Sequence, residues 1–586
     1  MNAWWKSQIQ KKTQPVLLYI RHSETSFLLF FSIAVGVCSG FGAIFFRWLI
    51  NSFRVLFFEK SSDILYFMGS YYVILVPAIG GLIVGPLVYF LAREAKGHGV
   101  PEVMLAVASA GGRIRPRVAL IKTLASSICI GSGGSVGREG PIVQIGSTLG
   151  SSLGQFFRLS EEKIKILVAC GAAGGIAATF NAPLAGIFFA LEVILGEYGL
   201  KFFSAVVLSS VTATVISRSF LGDYPAFMVP SYTLESIWEI PLYFLFGFIA
   251  ASVSLLYIKS VYKSEDIFNA WGIPEYLKPA IGGIGVGLIG LYFPQIFGVG
   301  YDTIELALYG EVGIVLVTAL VFIKILATSV TLGSGGSGGV FAPALFIGAM
   351  LGEAYGKLTQ MIVPSIAIPS GACALVGMGA VFSGASHAPI SAILILFEMT
   401  GNYLIILPLM ITCIISTVVV RKFSKESIYT LKLTRRGIDV HELRKSDIMS
   451  SITVSDAMVR QVVTFQETFT VHDAEMSIQS DASYRHRGFP VLNQEGNLVG
   501  MVTTKDIFEA MSEGKMDMPI KEIITKEIST CYPSDNLKTA LQKLGEKNVG
   551  RIPVVERENP NLLVGLITRE NIIAAYHEAS LSSKEH

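Results

Sequence analysis

Between Phe27 and Val420 the chain is a series of long runs with few or no charges, and this limits its fold more than any other feature. The runs 27–46, 71–92, 240–258, 280–299 and 402–420 each approach the ~20 residues that cross a bilayer as helix. A crossing segment must pair its backbone internally, which leaves helices as the expected element. Only 15% of the 586 residues are charged and 52% are hydrophobic, against roughly 25% charged in soluble domains. The chain therefore reads as an α-helical, multi-pass integral membrane protein. A net charge of +2 without a basic tail gives no reason to expect a nucleic-acid partner. The opening segment, 1–24, lacks an apolar run ending in a small-residue cleavage site, so it is read as a cytoplasmic N-terminal segment and not a secretory signal. Trp4 and Trp5 are expected to anchor it at the lipid interface.

Two stretches break the pattern. Around 120–155 and 324–352 the apolar pieces are shorter and are interrupted by glycine, proline and isolated charges. Such pieces are part-way helices, and irregular backbone at membrane depth survives only inside protein or beside a water-filled cavity. The two stretches are also copies of each other. GSGGSVGREGP at 131–141 recurs as GSGGSGGVFAP at 333–343, an offset of 202, and Lys122 recurs as Lys324 at the same offset. NAPLAGIFFALE at 181–192 recurs as HAPISAILILFE at 387–398, an offset of 206. The membrane part, 25–435, is thus expected to hold two related halves, about 25–225 and 235–435. Broken segments at matching positions in two halves point to a transporter's binding site.

Beyond Val420 the composition turns charge-dense. Lys and Arg cluster before the first span, at Arg93–Lys122 and after the last span, which predicts both termini in the cytoplasm and a place in the plasma (inner) membrane. A linker, 436–451, leads to a second repeat. GFPVLNQEGNLVGMVTTKDIFEAM (488–511) pairs with RIPVVERENPNLLVGLITRENIIAAY (551–576), each reading as strand, turn, strand, helix. The copies, 452–513 and 519–579, are too small to bury a large core alone and should pack as one α/β unit, followed by a tail, 580–586. The six cysteines, Cys38, Cys129, Cys170, Cys373, Cys413 and Cys531, have no metal or redox spacing and read as packing residues. No metal site, hydrolase or kinase constellation is expected, and His387 reads as structural.

The glycine loops are not phosphate loops, because no Gly-Lys-Ser/Thr follows them and no βαβ unit flanks them. Their physics is still that of an anion site. A helix N-terminus offers unpaired N–H groups and about half a positive charge, and glycine lets an anion approach that backbone. Two loops, one per half, would aim two helix starts at a shared point. A fixed Lys or Arg would hold the ion too tightly for conduction. Glu139 can then occupy the site as a tethered surrogate and leave it when protonated, which makes it a gate. The alternative is a folding brace, Glu139 paired with Arg138 or Lys122. Arg138 itself reads as a brace. Lys122 and Lys324 read as a shared scaffold, with Lys122 also raising the local anion concentration.

These residues resemble the CLC family of chloride channels and chloride/proton exchangers, in GREGP at 137–141, GGVFAP ending at Pro343, NAPLAG at 181–186 and SIY at 427–429. The resemblance spans nearly the whole chain. It implies a homodimer with one anion pathway per subunit, inverted halves and many tilted partial helices. It implies a central anion site on the amides of Val340 and Phe341 and the Tyr429 hydroxyl, with Glu139 as the gating glutamate. Anion-binding positions are then His98, Gly99, Arg138, Gly140, Val340, Phe341 and Tyr429. Two departures matter. The family's first anion motif usually reads Gly-Ser-Gly-Ile-Pro, whereas GHGVP stands at 97–101. His98 either lines the inner anion site, donating one N–H when neutral and charging near pH ~6, or turns away and leaves only the amides. Anion preference is open on this account, although the fluoride-exporting branch lacks the GREGP form and is disfavoured. The second departure is at the family's paired acids. Glu192 is the first, but Val193 occupies the internal proton-glutamate position, and members that behave as channels often carry valine there. The expected function is gated chloride conduction. The alternative is a chloride/proton antiporter with a non-standard proton route, through water or Glu197. Glu192 also has a plainer reading as an interfacial or subunit-contact charge.

The soluble repeat resembles a pair of CBS domains. These often bind adenine nucleotides (ATP, ADP or AMP), with the acid of a TxxD turn on the ribose hydroxyls. The first copy offers Thr503 and Asp506; the second has Thr568 but Asn571 in place of the acid. A dimerising module that binds nothing is the alternative, and a nucleotide-sensing protein with slow transport is a function of another class. A divalent-cation transporter would need several intramembrane acids, and few are present. No cofactor is expected to be required.

Overall fold

The structure is a computed structural model that describes residues 24–60, 66–230, 232–234, 236–364, 366, 368–439, 449, 452–480 and 486–582. Trp4, Trp5, most of the expected linker and the end of the tail lie outside the described residues. The chain divides into two compact units, Met1–Val440 and His441–His586, which are described separately.

Within the first unit the helices come in two successions. The first comprises α1 (Glu24–Arg54), α2 (Tyr72–Pro86), α3 (Val100–Ser109), α4 (Arg117–Gly131), α5 (Glu139–Phe156), α6 (Glu161–Phe180), α7 (Pro183–Phe189) and α8 (Leu200–Leu221). The second comprises α9 (Glu239–Ala270), α10 (Lys278–Tyr292), α11 (Tyr301–Leu308), α12 (Ile314–Gly333), α13 (Phe341–Ile362), α14 (Ser370–Ser386), α15 (Pro389–Thr400) and α16 (Ile406–Phe423), and a short α17 (Thr430–Thr434) follows. Each helix of the first succession has its counterpart eight places on. Among the described residues, seven helices are long and apolar enough to cross a membrane. Large apolar side chains such as Phe30, Trp48, Phe90, Val315 and Leu407 face outward, as a lipid-facing surface requires.

The apolar run 280–299 does not form one span. Its helix, α10, stops at Tyr292 because Phe293 turns extended (φ −129°, ψ 72°) ahead of Pro294, and the residue before a proline is disfavoured in helix. Fifteen residues reach only about 22 Å at 1.5 Å each, short of the ~30 Å hydrocarbon core.

Reciprocal contacts relate the halves by an internal two-fold. A Cβ on Gly81 of α2 would lie 2.2 Å from the Pro279 carbonyl of α10, and one on Gly283 of α10 would lie 2.3 Å from the Pro77 carbonyl of α2. The ends of α6 and α14 match as well. Asn181 and His387 close them in the left-handed conformation (φ 60° and 59°), which gives His387 the structural role expected of it. The fold is an inverted internal repeat with broken helices.

In the second unit, β1 (Phe465–Gln466), β2 (Gly488–Leu492) and β3 (Leu498–Thr503) form one sheet, and β4 (Arg551–Val555) and β5 (Leu563–Thr568) form another. The hairpins are copies in register and irregularity. Gly488 pairs with Thr503 as Arg551 pairs with Thr568, and the register shifts at Val491/Leu492 as it does at Val554/Val555. Each repeat's leading segment packs in the other repeat's core. Val454, ahead of the first hairpin, is buried with Leu537, Val554 and Ile567, whereas Ile520 is buried with Phe465, Phe489 and Val502. This exchange explains why two ~60-residue repeats, each marginal alone, fold as one unit.

Candidate functional site

Four helix starts converge in the first unit. They are α3 after Gly99, α5 after Arg138, α11 after Gly300 and α13 after Val340. The segments leading into them are laced together. The Gly137 N–H donates to the Gly339 carbonyl at 2.8 Å and the Gly339 N–H donates back at 2.6 Å. Gly97 joins through its N–H to Gly336 O at 3.1 Å and through its carbonyl, which accepts from the Gly338 N–H at 3.3 Å. Side chains would forbid this approach, since a Cβ on Gly140 would lie 2.2 Å from the His98 carbonyl. Behind the loops, the Lys122 ammonium donates to the carbonyls of Ala95 and Gly97 at 3.0 and 2.6 Å. Lys324 does the same to Ile296 and Gly298 at 2.9 and 3.1 Å. Both lysines are fully buried, and both hold the loop ahead of a converging helix. These bonds anchor both lysines against the loops at equivalent places in the two halves.

A helix start leaves its first N–H groups without intrahelical partners. In α5 and α13 the third helical residue is proline, Pro141 and Pro343, which has no N–H to leave unpaired. Among the described residues the amides of Val340 and Phe341 have no protein acceptor, while the Tyr257 hydroxyl donates to the Val340 carbonyl at 3.0 Å. Against these amides lies the Glu139 side chain, 1% exposed. One carboxylate oxygen accepts from the Tyr301 hydroxyl at 2.8 Å and the other from the Ala342 N–H at 3.3 Å. The acid of one half thus caps the opposing helix of the other half. It pairs with neither Arg138 nor Lys122. The Arg138 guanidinium lies over the Tyr301 ring, 5.1 Å from its centroid, and so braces the tyrosine that holds Glu139.

Tyr429 is buried at the same convergence. Its backbone N–H and that of Thr430 donate to the Ser427 hydroxyl, both at 3.2 Å, and among the described residues its own hydroxyl has no protein partner. The His98 ring stands 6.0 Å from the Tyr429 ring and does not turn away from it. Its Nε2 lies 3.4 Å from the Tyr262 hydroxyl, which donates to the Ile428 carbonyl at 2.6 Å.

Glu192 and Val193 lie in a wider π-helical turn, Ala190–Leu195, that continues α7. Glu192 accepts from the N–H groups of Ile390 and Ser391 at 3.3 and 2.8 Å and from the Ser391 hydroxyl at 2.6 Å, and so caps α15. Glu398, at the end of α15, returns the contact by accepting from Leu184 and Ala185 of α7 at 3.0 and 2.7 Å. Val193 is buried and supplies no titratable atom.

In the second unit, Asp506 accepts from the Thr503 N–H and hydroxyl at 2.9 and 2.7 Å. Asn571 takes the same bonds from Thr568 at 3.2 and 2.7 Å. The device recurs at Thr453–Asp456 and Thr470–Asp473, where the threonine hydroxyl and amide hold both carboxyls below their usual range. The TxxD turn is therefore a helix cap first.

Sequence reasoning missed Tyr301, Tyr262, Tyr257 and Glu398. A signal existed for Tyr301. The GHG of 97–99 recurs as GVG at 298–300, beside the repeated lysines, and Tyr301 follows directly. Replacing Tyr301 with phenylalanine removes one charge-assisted bond to Glu139, about 1.5–3 kcal/mol.

The chain is similar to known proteins along most of its length. Residues 80–421 match the family model described as voltage gated chloride channel, and 454–513 and 520–578 match the CBS domain model. The chain is 30% identical over 563 residues to the Arabidopsis thaliana chloride channel protein CLC-f, covering 83% of this chain and 70% of that one. It is 34% identical over 386 residues to an H(+)/Cl(-) exchange transporter ClcA of Vibrio parahaemolyticus, covering 64% of this chain and 82% of that one. A crystal structure described as a slow cyanobacterial Cl-/H+ antiporter superposes with a TM-score of 0.65 at 26% identity, covering 70% of this chain and 97% of that one. The chain belongs to the CLC family of chloride transport proteins, as a multi-pass membrane member that carries a pair of CBS domains.

Proposed function

We propose that the protein conducts chloride through a gated, channel-type path in which Glu139 is the gate. The observation that carries this reading is the Glu139 carboxylate on the Ala342 amide. There it fills a place where helix-start N–H groups would otherwise meet an anion, beside amides of Val340 and Phe341 that have no protein acceptor among the described residues. Protonation removes its charge, and chloride replaces it. The anion then runs between His98, Gly99, Arg138, Gly140, Val340, Phe341 and Tyr429. Val193 supports passive flow, because no acid stands there to pass a proton inward. Glu192 supports it too, since a proton reaching it would weaken three cap bonds to α15. The protein acts as a homodimer with one pathway per subunit, in the inner membrane with both termini cytoplasmic.

A second reading is chloride/proton exchange, favoured by the printed descriptions of the exchange transporter and antiporter to which the chain is similar. One measurement separates the two. A reversal potential taken across a proton gradient in reconstituted bilayers should follow the chloride gradient alone for a channel. A shift with the proton gradient would establish exchange.

The CBS pair is proposed to bind an adenine nucleotide and to adjust the rate. Asp506→Asn tests the ribose contact without removing the cap, because Asn571 makes the same cap bonds in the second copy. The variant should stay folded and lose nucleotide affinity by about tenfold, the scale of one charge-assisted hydrogen bond. Unchanged affinity by calorimetry would remove Asp506 from the site.

A further inference from the structure

The buried imidazole of His98 makes one contact that fixes its protons. A phenol has a single proton, and Tyr262 donates its own to the Ile428 carbonyl at 2.6 Å. In the 3.4 Å contact with His98 Nε2 the Tyr262 oxygen can therefore only accept, so Nε2 carries the hydrogen. A neutral ring then has a bare lone pair on Nδ1. That atom is buried, in a residue only 3% exposed, and has no hydrogen-bond partner among the described residues. The backbone that carries the ring is held in place, with Gly97 tied to Gly336, Gly338 and Lys122 and the His98 carbonyl against Gly140.

A lone pair repels an anion, whereas an N–H attracts one. In this tautomer a neutral His98 therefore cannot hold chloride, and a ring protonated at Nδ1 can. The surroundings make the two events conditional on each other. Lys122 on α4, Lys432 on α17 and Arg436 beyond it act electrostatically on the ring. Lys122 is committed to the carbonyls of Ala95 and Gly97. Lys432 and Arg436 share Glu102 of α3 at 3.5 and 2.8 Å. Tyr262 of α9 and Tyr429 ahead of α17 complete the ring's polar neighbours. Placing a positive charge on a buried ring, with three cations nearby as well, is unfavourable until an anion arrives beside it. We propose that His98 takes up a proton at Nδ1 as an anion enters next to it and releases that proton to water as the anion leaves, forming a linked proton–anion site separate from the Glu139 gate. This rests on the anion path proposed above and gives that path a second titrating position, where a serine would give only a neutral donor.

The test uses the full-length protein in detergent with Glu139→Gln, so that the gate's own proton is absent. Sodium chloride is titrated in, with binding followed by calorimetry and protons by a pH indicator in weak buffer. The expected result is uptake of up to one proton per subunit as chloride binds, with a Kd that rises up to about tenfold per pH unit over the titrating range. Adding His98→Ser should abolish the uptake and leave a Kd independent of pH. His98→Asn is the second variant should the serine form fail to fold, and it should behave alike. Chloride binding without proton uptake in E139Q, or uptake that survives loss of His98, would overturn the inference. Absence of chloride binding in E139Q would overturn the anion path and this inference together.

Discussion

Glu139→Gln should hold the pathway open across the pH range. The carboxylate is kept in place by the Tyr301 hydroxyl and the Ala342 N–H, at 2.8 and 3.3 Å, and both bonds gain strength from its charge. Glutamine has nearly the same shape, but it is neutral, and its NH2 group would meet N–H groups of the α13 start with like polarity. Losing about 1.5–3 kcal/mol from the closed arrangement lowers its population roughly 10- to 150-fold. Chloride efflux from vesicles at neutral pH should rise toward the value the parent reaches only in acid, and most of the pH dependence should vanish. Any remainder should belong to His98 and disappear in E139Q/H98S. Flux that varies with pH as steeply in E139Q as in the parent would sink the gate role.

The repeat made half of this arrangement legible. GSGGSVGREGP and GSGGSGGVFAP, 202 residues apart, predicted two helix starts at one point, and the structure pairs Gly137 with Gly339 across that point. The partner of Glu139 was harder to see, because Tyr301 is one of 21 tyrosines and no spacing from Glu139 singles it out. It is reached only through the two-fold, as the residue after Gly300 in the counterpart of the His98 loop. The cap that Glu192 forms was hidden for the same reason. The residue's partner, the N-terminus of α15, is about 200 residues away in sequence and becomes adjacent only when the halves invert. The CBS repeat was read correctly as a pair, but not the exchange of Val454 and Ile520 between its cores. Hydrophobic patterning says that a residue is buried and does not say in which of two similar cores.

Gly171→Ala or Gly377→Ala should prevent assembly of the first unit, although each adds one methyl group. The α5–α6 pair meets through Gly146 and Gly171. A Cβ on either would lie 2.1 or 2.0 Å from the other's carbonyl oxygen. The α13–α14 pair repeats the contact through Gly348 and Gly377, at 2.2 Å both ways. Backbone oxygen cannot rotate aside as a side chain would, so the helices must part by about an ångström. Overpacking of an ordinary core costs about 1–3 kcal/mol, and a backbone clash that separates two helices along their length should reach or exceed the top of that range. Such a loss is a large share of the ~5–15 kcal/mol that holds a typical domain, and helices in lipid depend on close packing at small residues because no hydrophobic drive joins them. α5 and α13 are also the helices whose starts form the anion site, so these glycines set where the Glu139 and Ala342 groups meet. Detergent-solubilised G171A and G377A should give little monodisperse protein on size exclusion. Gly545→Ala, a helical position with open space around it, should elute and melt like the parent or slightly above it. A G171A protein that elutes and melts as the parent does would show that the helix pair yields without cost, and would remove the close glycine contact as the element that positions the site.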